Sequence, residues 1–295
     1  MNKIYVIGSQ NVDHTFRMKD LPMRGETVLA DTYEMGTGGK GANQAIAAAC
    51  FGGNVEMIGC VGDDSAAKAL LDTLTEHGVG TRYVQRTHGA SGLAVVYVDH
   101  LGANCIAVHP GANRRVSRQT IPTFDPGDLV LAQMEVNTDA VAACFAAAKQ
   151  AGATTVLNPS PYHLDAEDLI ALTDLLVLNQ HEAFEATGVA AQNWETGLAC
   201  ISALLRMGAK NVVLTLGSKG VMCRGEEDTF AIDGLPVEIV DTQGAGDAFL
   251  GAFASKLGAG GSLREAASFA NRVGAYAVTR SGSTQVSLPA LDEPF

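Results

Sequence analysis

Within the 295 residues, the run Asp241-Thr242-Gln243-Gly244-Ala245-Gly246-Asp247 has the residue types and spacing most suited to chemistry. It lies between a β-branched stretch at 237–240 and an apolar stretch at 248–257 that reads as a helix. Glycines at such a junction let backbone amides turn toward a ligand, and the helix start adds partial positive charge. That makes an anion hole suited to a phosphoryl group in transfer. A carboxylate in the same turn, Asp247, stands where it can take a proton from an attacking hydroxyl. Asp is also a favoured helix cap and Gly a common turn residue, so the run by itself reads as readily as a capped helix start. It lacks the Gly-Lys-Ser/Thr ending of a Walker A loop.

Three other places offer polar groups to a ligand. Asn11-Val12-Asp13 sets an amide and a carboxylate two residues apart. In extended chain both point the same way and can serve adjacent hydroxyls; an Asx turn would use the same residues. Gly38-Gly39-Lys40-Gly41-Ala42-Asn43-Gln44-Ala45 combines glycines with the donors Lys40 and Asn43, or is simply a glycine-rich turn before a helix. Glu135 ends an apolar run, where a solvated strand-end carboxylate is the plain alternative. Asn11, Asp13, Lys40, Asn43 and Glu135 together suit a small unphosphorylated polyol. A phosphorylated one would call for more cations, and the adjacent Arg114 and Arg115 read equally well as surface residues.

The elements that must position these groups are visible as short β-branched runs alternating with Ala-rich stretches. Strands are expected over 4–8, 55–62, 129–133, 154–158, 175–179 and 211–216, and helices over 42–51, 65–77, 138–151, 181–188 and 195–207. Buried apolar strands separated by helices imply parallel βαβ units and a sheet covered on both faces, with ligands at the carboxyl ends of the strands. Segments of about 15–36 and 91–109 break the rhythm and predict four short strands outside the main sheet. This small antiparallel unit is a lid or dimer surface over the crevice, or an ordinary hairpin pair. Residues 1–295 are expected to form one domain carrying those two lid segments.

Composition narrows the partners. Hydrophobic residues make up 47% and charged residues 18%, which supports a large buried core. A formal charge of -12 argues against nucleic acid or an anionic membrane as the main partner. The apolar start is too short for a secretory signal and no stretch is long enough to span a membrane, so a cytoplasmic protein is expected. The six cysteines form no C-x-x-C pair and read mostly as small buried hydrophobes.

The chain resembles the ribokinase-like (PfkB) carbohydrate kinases over its whole length. Residues 241–249 look like the late signature of that family and residues 38–45 like the early one, in the expected order. The resemblance implies a three-layer α/β/α sandwich with a mainly parallel central sheet and a small antiparallel β lid. It implies ATP-dependent phosphorylation of the primary hydroxyl of a small sugar, D-ribose to D-ribose 5-phosphate foremost. The alternatives are 2-deoxyribose, another ketose or furanose, or a nucleoside. A sugar-binding regulator on the same scaffold would be expected to lose the base or the anion hole, and both motifs are present.

By the same resemblance Asp247 is the base and Gly244, Ala245 and Gly246 form the anion hole. Asn11, Asp13, Gly39, Lys40, Asn43 and Glu135 meet the sugar together with Asp247. Asn179 and Glu182, of Asn179-Gln180-His181-Glu182, lie near the nucleotide phosphates and Mg2+, although Asn179 alone would suit a helix cap. Thr215, Gly217, Gly220 and Gly246 approach ATP, and Asn271 approaches adenine. A potassium ion falls to Asp241, Gln243 (where Thr is commoner), Ala277, Arg280, Gly282 and either Val286 or Ser287. A homodimer joined through the lid is also implied.

Overall fold

The computed structural model describes residues 2–225 and 228–280. Its strands in chain order are β1 (Lys3–Ile7), β2 (Asn11–Arg17), β3 (Thr32–Gly38), β4 (Asn54–Val61), β5 (Gly80–Arg86), β6 (Gly92–Val98) and β7 (Asn104–His109). They continue with β8 (Leu129–Ala132), β9 (Thr154–Leu157), β10 (Leu175–Asn179), β11 (Asn211–Thr215), β12 (Val221–Arg224) and β13 (Thr229–Ile232). The helices are α1 (Lys40–Cys50), α2 (Ala66–Glu76), α3 (Thr138–Ala151), α4 (Ala166–Ile170), α5 (Gln180–Thr187), α6 (Trp194–Arg206), α7 (Ala245–Gly258) and α8 (Leu263–Ala277).

Among the described residues nine strands form the main sheet, in the order β13-β12-β11-β10-β9-β8-β1-β4-β5. Pairing is parallel from β5 to β11 and antiparallel only for β12 and β13. Because side chains alternate along a strand, the sheet sorts its apolar residues into two layers. Ile4, Val6, Leu131 and Val177 pack with α1, α7 and α8. Tyr5, Ile7, Val130 and Leu178 pack with α3, α4 and α6 on the other face. This is the expected sandwich, and every residue of β8 is buried within it.

A second sheet has the order β3-β2-β6-β7. Its outer pairs are antiparallel and its central pair, β2 with β6, is parallel. The expected lid strands are therefore present, but β2 begins at Asn11, ahead of the expected segment, so Asn11 and Asp13 sit on the lid itself.

Other elements depart from the sequence reading. Residues 237–240 form no strand; the Val240 and Asp241 amides instead donate to Val278 O (2.8 and 3.1 Å), just past α8. α7 starts at Ala245, three residues early, which puts Asp247 inside its first turn. β5, α4, β12 and β13 lie outside the elements that the sequence predicts. Cys60, Cys144, Cys200 and Cys223 are buried and Cys50 is partly so, whereas Cys105 is exposed on β7. Among the described residues no helix is long and apolar enough to cross a membrane.

Candidate active site

α7 crosses α1 closely because both are built from small residues there. A methyl group on Gly251 would come within 2.6 Å of Ala48 N and 2.7 Å of Gln44 O. Gly41 likewise lets the start of α1 sit against the Gly8 backbone, where a Cβ would approach to 2.6 Å. The result brings Asn43 and Gln44 of α1 onto Asp247 of α7. Asn43 Nδ2 donates to Asp247 Oδ2 (3.1 Å) and Gln44 Nε2 to Oδ1 (2.8 Å). Gln44 is itself held, accepting from Gln133 Nε2 (2.5 Å) and donating to Asn158 Oδ1 (3.3 Å). Asp247 is buried, with both carboxylate oxygens aimed by amides and each keeping further acceptor capacity.

The cleft beside it has a volume of about 220 Å³, and Lys40, Asn179, Glu182, Thr215, Gly244 and Gly246 border it. Gly244 caps α7 with φ 74°, a left-handed conformation that favours glycine. The Ala245 amide closes a turn onto Thr242 O (3.3 Å), and the first helical bond is Ala248 N–H to Gly244 O (2.9 Å). The amides of Gly246 and Asp247 thus precede the helical ladder, where donors lack an intrahelical acceptor.

Asn179 and Glu182 form a capping box on α5: Asn179 Oδ1 accepts from the Glu182 amide (2.9 Å), and Glu182 Oε2 accepts from the Asn179 amide (3.0 Å). The capping role considered for Asn179 is therefore realised, with both residues also facing the cleft. Thr215 pairs with Asn179 across β10 and β11. Gly217 and Gly220 lie in the turn between β11 and β12, and Asn271 lies on α8. A Cβ on Gly220 would overlap Ile232 O, and Asn271 Nδ2 donates to Asp233 O (2.9 Å), so these residues also seat the 217–220 turn and α8 on residues 232–234.

On the lid side, Asp13 lies opposite Gly36, and a Cβ on the nearby Gly38 would overlap its carboxylate. Burial, with the charges of Glu135 and Asp247 nearby, raises its pKa to about 7. Asp13 Oδ1 and Asn43 Oδ1 are buried without a hydrogen-bond partner. Buried polar atoms are seldom left so, and hydroxyl donors of a small polyol would satisfy both. Glu135 Oε2 accepts from Ser9 Oγ (2.5 Å) and from the Lys40 amide (3.2 Å). Gly39 has φ 93°, and a Cβ there would meet Ser9 O and Asn11 N at 3.0 Å.

Asp241 Oδ1 accepts from the Gln243 amide (2.9 Å), and the Arg280 amide donates to Ala277 O (3.2 Å). The Val278 contacts join these two segments. Gly282, Val286 and Ser287 lie outside the described residues. Among the described residues no group of three or more His, Cys, Asp or Glu is placed to hold a metal. Arg115 is turned away from the cleft, donating to His88 O (2.5 Å) and Thr87 Oγ1 (3.2 Å). Ser9, Gln44, Asn113, Gln133 and Asn158 also shape the site and were not singled out from the sequence. Gln44 stood inside the early glycine run; the others carried no motif.

A family model described as pfkB family carbohydrate kinase matches residues 1–291. Ribokinase of Haemophilus influenzae is 33% identical over 293 residues, covering 98% of this chain and 95% of that protein. Deoxyribokinase of Salmonella typhi is also 33% identical, over 296 residues, covering 98% and 96%. The structure of Arabidopsis thaliana ribokinase complexed with ribose and ATP superposes with a TM-score of 0.87 at 28% identity, covering 98% of this chain and 96% of that one.

Proposed function

The chain belongs to the pfkB family of carbohydrate kinases, and from that premise we propose that it transfers the γ-phosphoryl group of ATP to the primary hydroxyl of D-ribose, giving D-ribose 5-phosphate. The observation that carries this reading is the buried Asp247 carboxylate, held by Asn43 and Gln44 between an amide-rich helix start and a polar lid. Asn11, Asp13, Gly39, Lys40, Asn43 and Glu135 hold the sugar, the unpartnered oxygens of Asp13 and Asn43 accepting from its hydroxyls. None of these is aromatic, which favours a bare sugar over a nucleoside whose base would want a stacking surface. The equal identity to a deoxyribokinase supports 2-deoxyribose as a second substrate.

Asp247 takes the proton of the primary hydroxyl as that oxygen attacks in line. The amides of Gly244, Ala245 and Gly246 receive the charge on the transferring group; the long Ala245 bond to Thr242 is one a phosphoryl oxygen can displace. Asn179, Glu182, Thr215, Gly217, Gly220 and Gly246 line the nucleotide path, with Asn271 toward adenine. Glu182 offers one carboxylate and not a full cage, a donor set that fits magnesium held through water and phosphates. When bound, that ion neutralises β- and γ-phosphate charge. Carbonyl oxygens around Asp241, Gln243, Ala277 and Arg280 suit potassium, which when bound would steady the 241–247 loop. The lid closes over the sugar and excludes water, and two lids join a homodimer in the cytoplasm.

The test is an ATP-consumption screen over pentoses, hexoses and nucleosides, with and without potassium. Fastest turnover is expected on ribose; the absence of turnover on every sugar would sink the kinase reading.

A further inference from the structure

Asn113, in the short turn after β7, is 1% exposed and belongs to no motif singled out in the sequence. Its side chain makes three hydrogen bonds. Oδ1 accepts from the Gln10 amide (3.0 Å), while Nδ2 donates to Gln10 O (3.2 Å) and to Asn11 Oδ1 (2.8 Å). Two of the three partners are backbone groups whose polarity cannot change: an N–H only donates and a C=O only accepts. They fix which end of the Asn113 amide is oxygen and which nitrogen. That leaves Nδ2 facing Asn11, so Asn11 must present its own oxygen to Asn113 and keep its Nδ2 for the ligand.

The fit around this pair is close. Gly92 lies opposite Asn11 in the β2–β6 pairing, and a Cβ on it would overlap both Asn11 Oδ1 and Asn113 Nδ2. The Gly92 backbone is not left-handed, so an alanine there acts through its methyl group.

We infer that Asn113 is a specificity-determining positioning residue, which locks the Asn11 amide so that the sugar site offers a hydrogen-bond donor beside the Asp13 acceptor. This rests on the reading of Asn11 as a sugar contact. A site poised to donate to one secondary hydroxyl rejects the analogue that lacks it, because the donor is then left unpaired. The lock therefore sets discrimination among ribose, 2-deoxyribose and 3-deoxyribose, without touching the reacting atoms.

The experiment measures KM and kcat for these three sugars, and KM for ATP, in the wild type, Asn113→Asp, Gly92→Ala, Asn11→Ala and Asn11→Ala/Asn113→Asp. Asn113→Asp keeps the acceptor for the Gln10 amide but replaces the donor to Asn11, so the Asn11 amide must turn over. The expected result is a rise of at least about tenfold in KM for ribose in both Asn113→Asp and Gly92→Ala, with a smaller change in kcat and none in KM for ATP. Preference for ribose over one of the deoxy sugars should shrink by a similar factor. In the Asn11→Ala background, Asn113→Asp should add no further loss of preference, since its effect passes through Asn11. Equal losses for all three sugars, or a lowered Tm with unchanged KM and preference, would overturn the inference and leave the kinase reading standing. A wild type that phosphorylates no sugar would overturn both.

Discussion

At the residue scale, two carboxylates of one site are held in opposite ways. Asp247 is held by two donors: Asn43 and Gln44 each give it one amide hydrogen. Asp247→Asn removes the acceptor for the sugar proton while nearly preserving shape. It should cut kcat by about 10²- to 10⁴-fold and leave sugar affinity, read by calorimetry, within a few-fold. Retained turnover would refute its role as base. Asp13 Oδ1 has no such partner, and burial and then the charges of Glu135 and Asp247 disfavour the ionisation of Asp13 and lift its pKa to about 7. Its folded-state pKa lies above the ordinary value of 3.8, so the group adds stability below about pH 4 that is lost as pH rises through 7. Asparagine has no such dependence. Ligand-free Asp13→Asn should therefore gain in Tm relative to the wild type between pH 4 and pH 8, while its KM for sugar rises. A Tm difference that does not move with pH would show that Asp13 is not held in this way.

At the scale of elements, the Asp247 carboxylate and its donors belong to different helices, and their register depends on a crossing without side chains. Gly251→Ala would press a methyl group into Ala48 and Gln44 of α1. Overpacking of this kind costs about 1–3 kcal/mol, so thermal melting should show Tm lower by several degrees. Because Gln44 lies in that contact, kcat should fall as well, which an alanine at the open Gly188 in the α5 C-cap would not cause. The same crossing marks what could be read in the sequence. Asp247, Asn43 and Asp13 stood in runs whose glycines and spacing pointed to a ligand, and β1, β8 and β10 showed as unbroken apolar runs. Gln133 and Asn113 act through hydrogen bonds across 89 and 103 residues, which no local pattern carries. Residues 237–240 looked like a strand because Val and Ile favour extended chain, yet Ile239 and Val240 are 59% and 63% exposed and their segment hooks onto the end of α8. β5 carries no strand signal because an edge strand with Arg82 and Arg86 reads as surface, the usual protection of an open edge.

At the scale of the whole molecule, the lid exposes apolar side chains that a solitary acidic chain has little reason to keep. Ile106 and Val108 on β7 are 48% and 47% exposed, and every residue of that strand is exposed. Through the pairing register, Val108 shares a face with Ala94 and Asp13, and Ile106 with Val96 and Thr15. The uncovered apolar pair therefore lies on the same side of the sheet as the carboxylate assigned to the sugar. Exposed apolar patches mark contact surfaces, and an unpaired edge strand invites a second chain. A partner lid covering Ile106 and Val108 would bury that face and so help to hold the sugar beneath it. Sedimentation should accordingly find a dimer, and Ile106→Asp/Val108→Asp should shift it to monomer. The monomer should have a higher KM for sugar with KM for ATP unmoved, because the cleft bordered by β10, β11 and α7, which we propose for the nucleotide, lies outside the lid. If the wild type sediments as a monomer at every concentration tested, two lids do not meet. If the double variant dissociates with no change in sugar KM, the partner adds nothing to the site, and the lid alone must exclude water from Asp247.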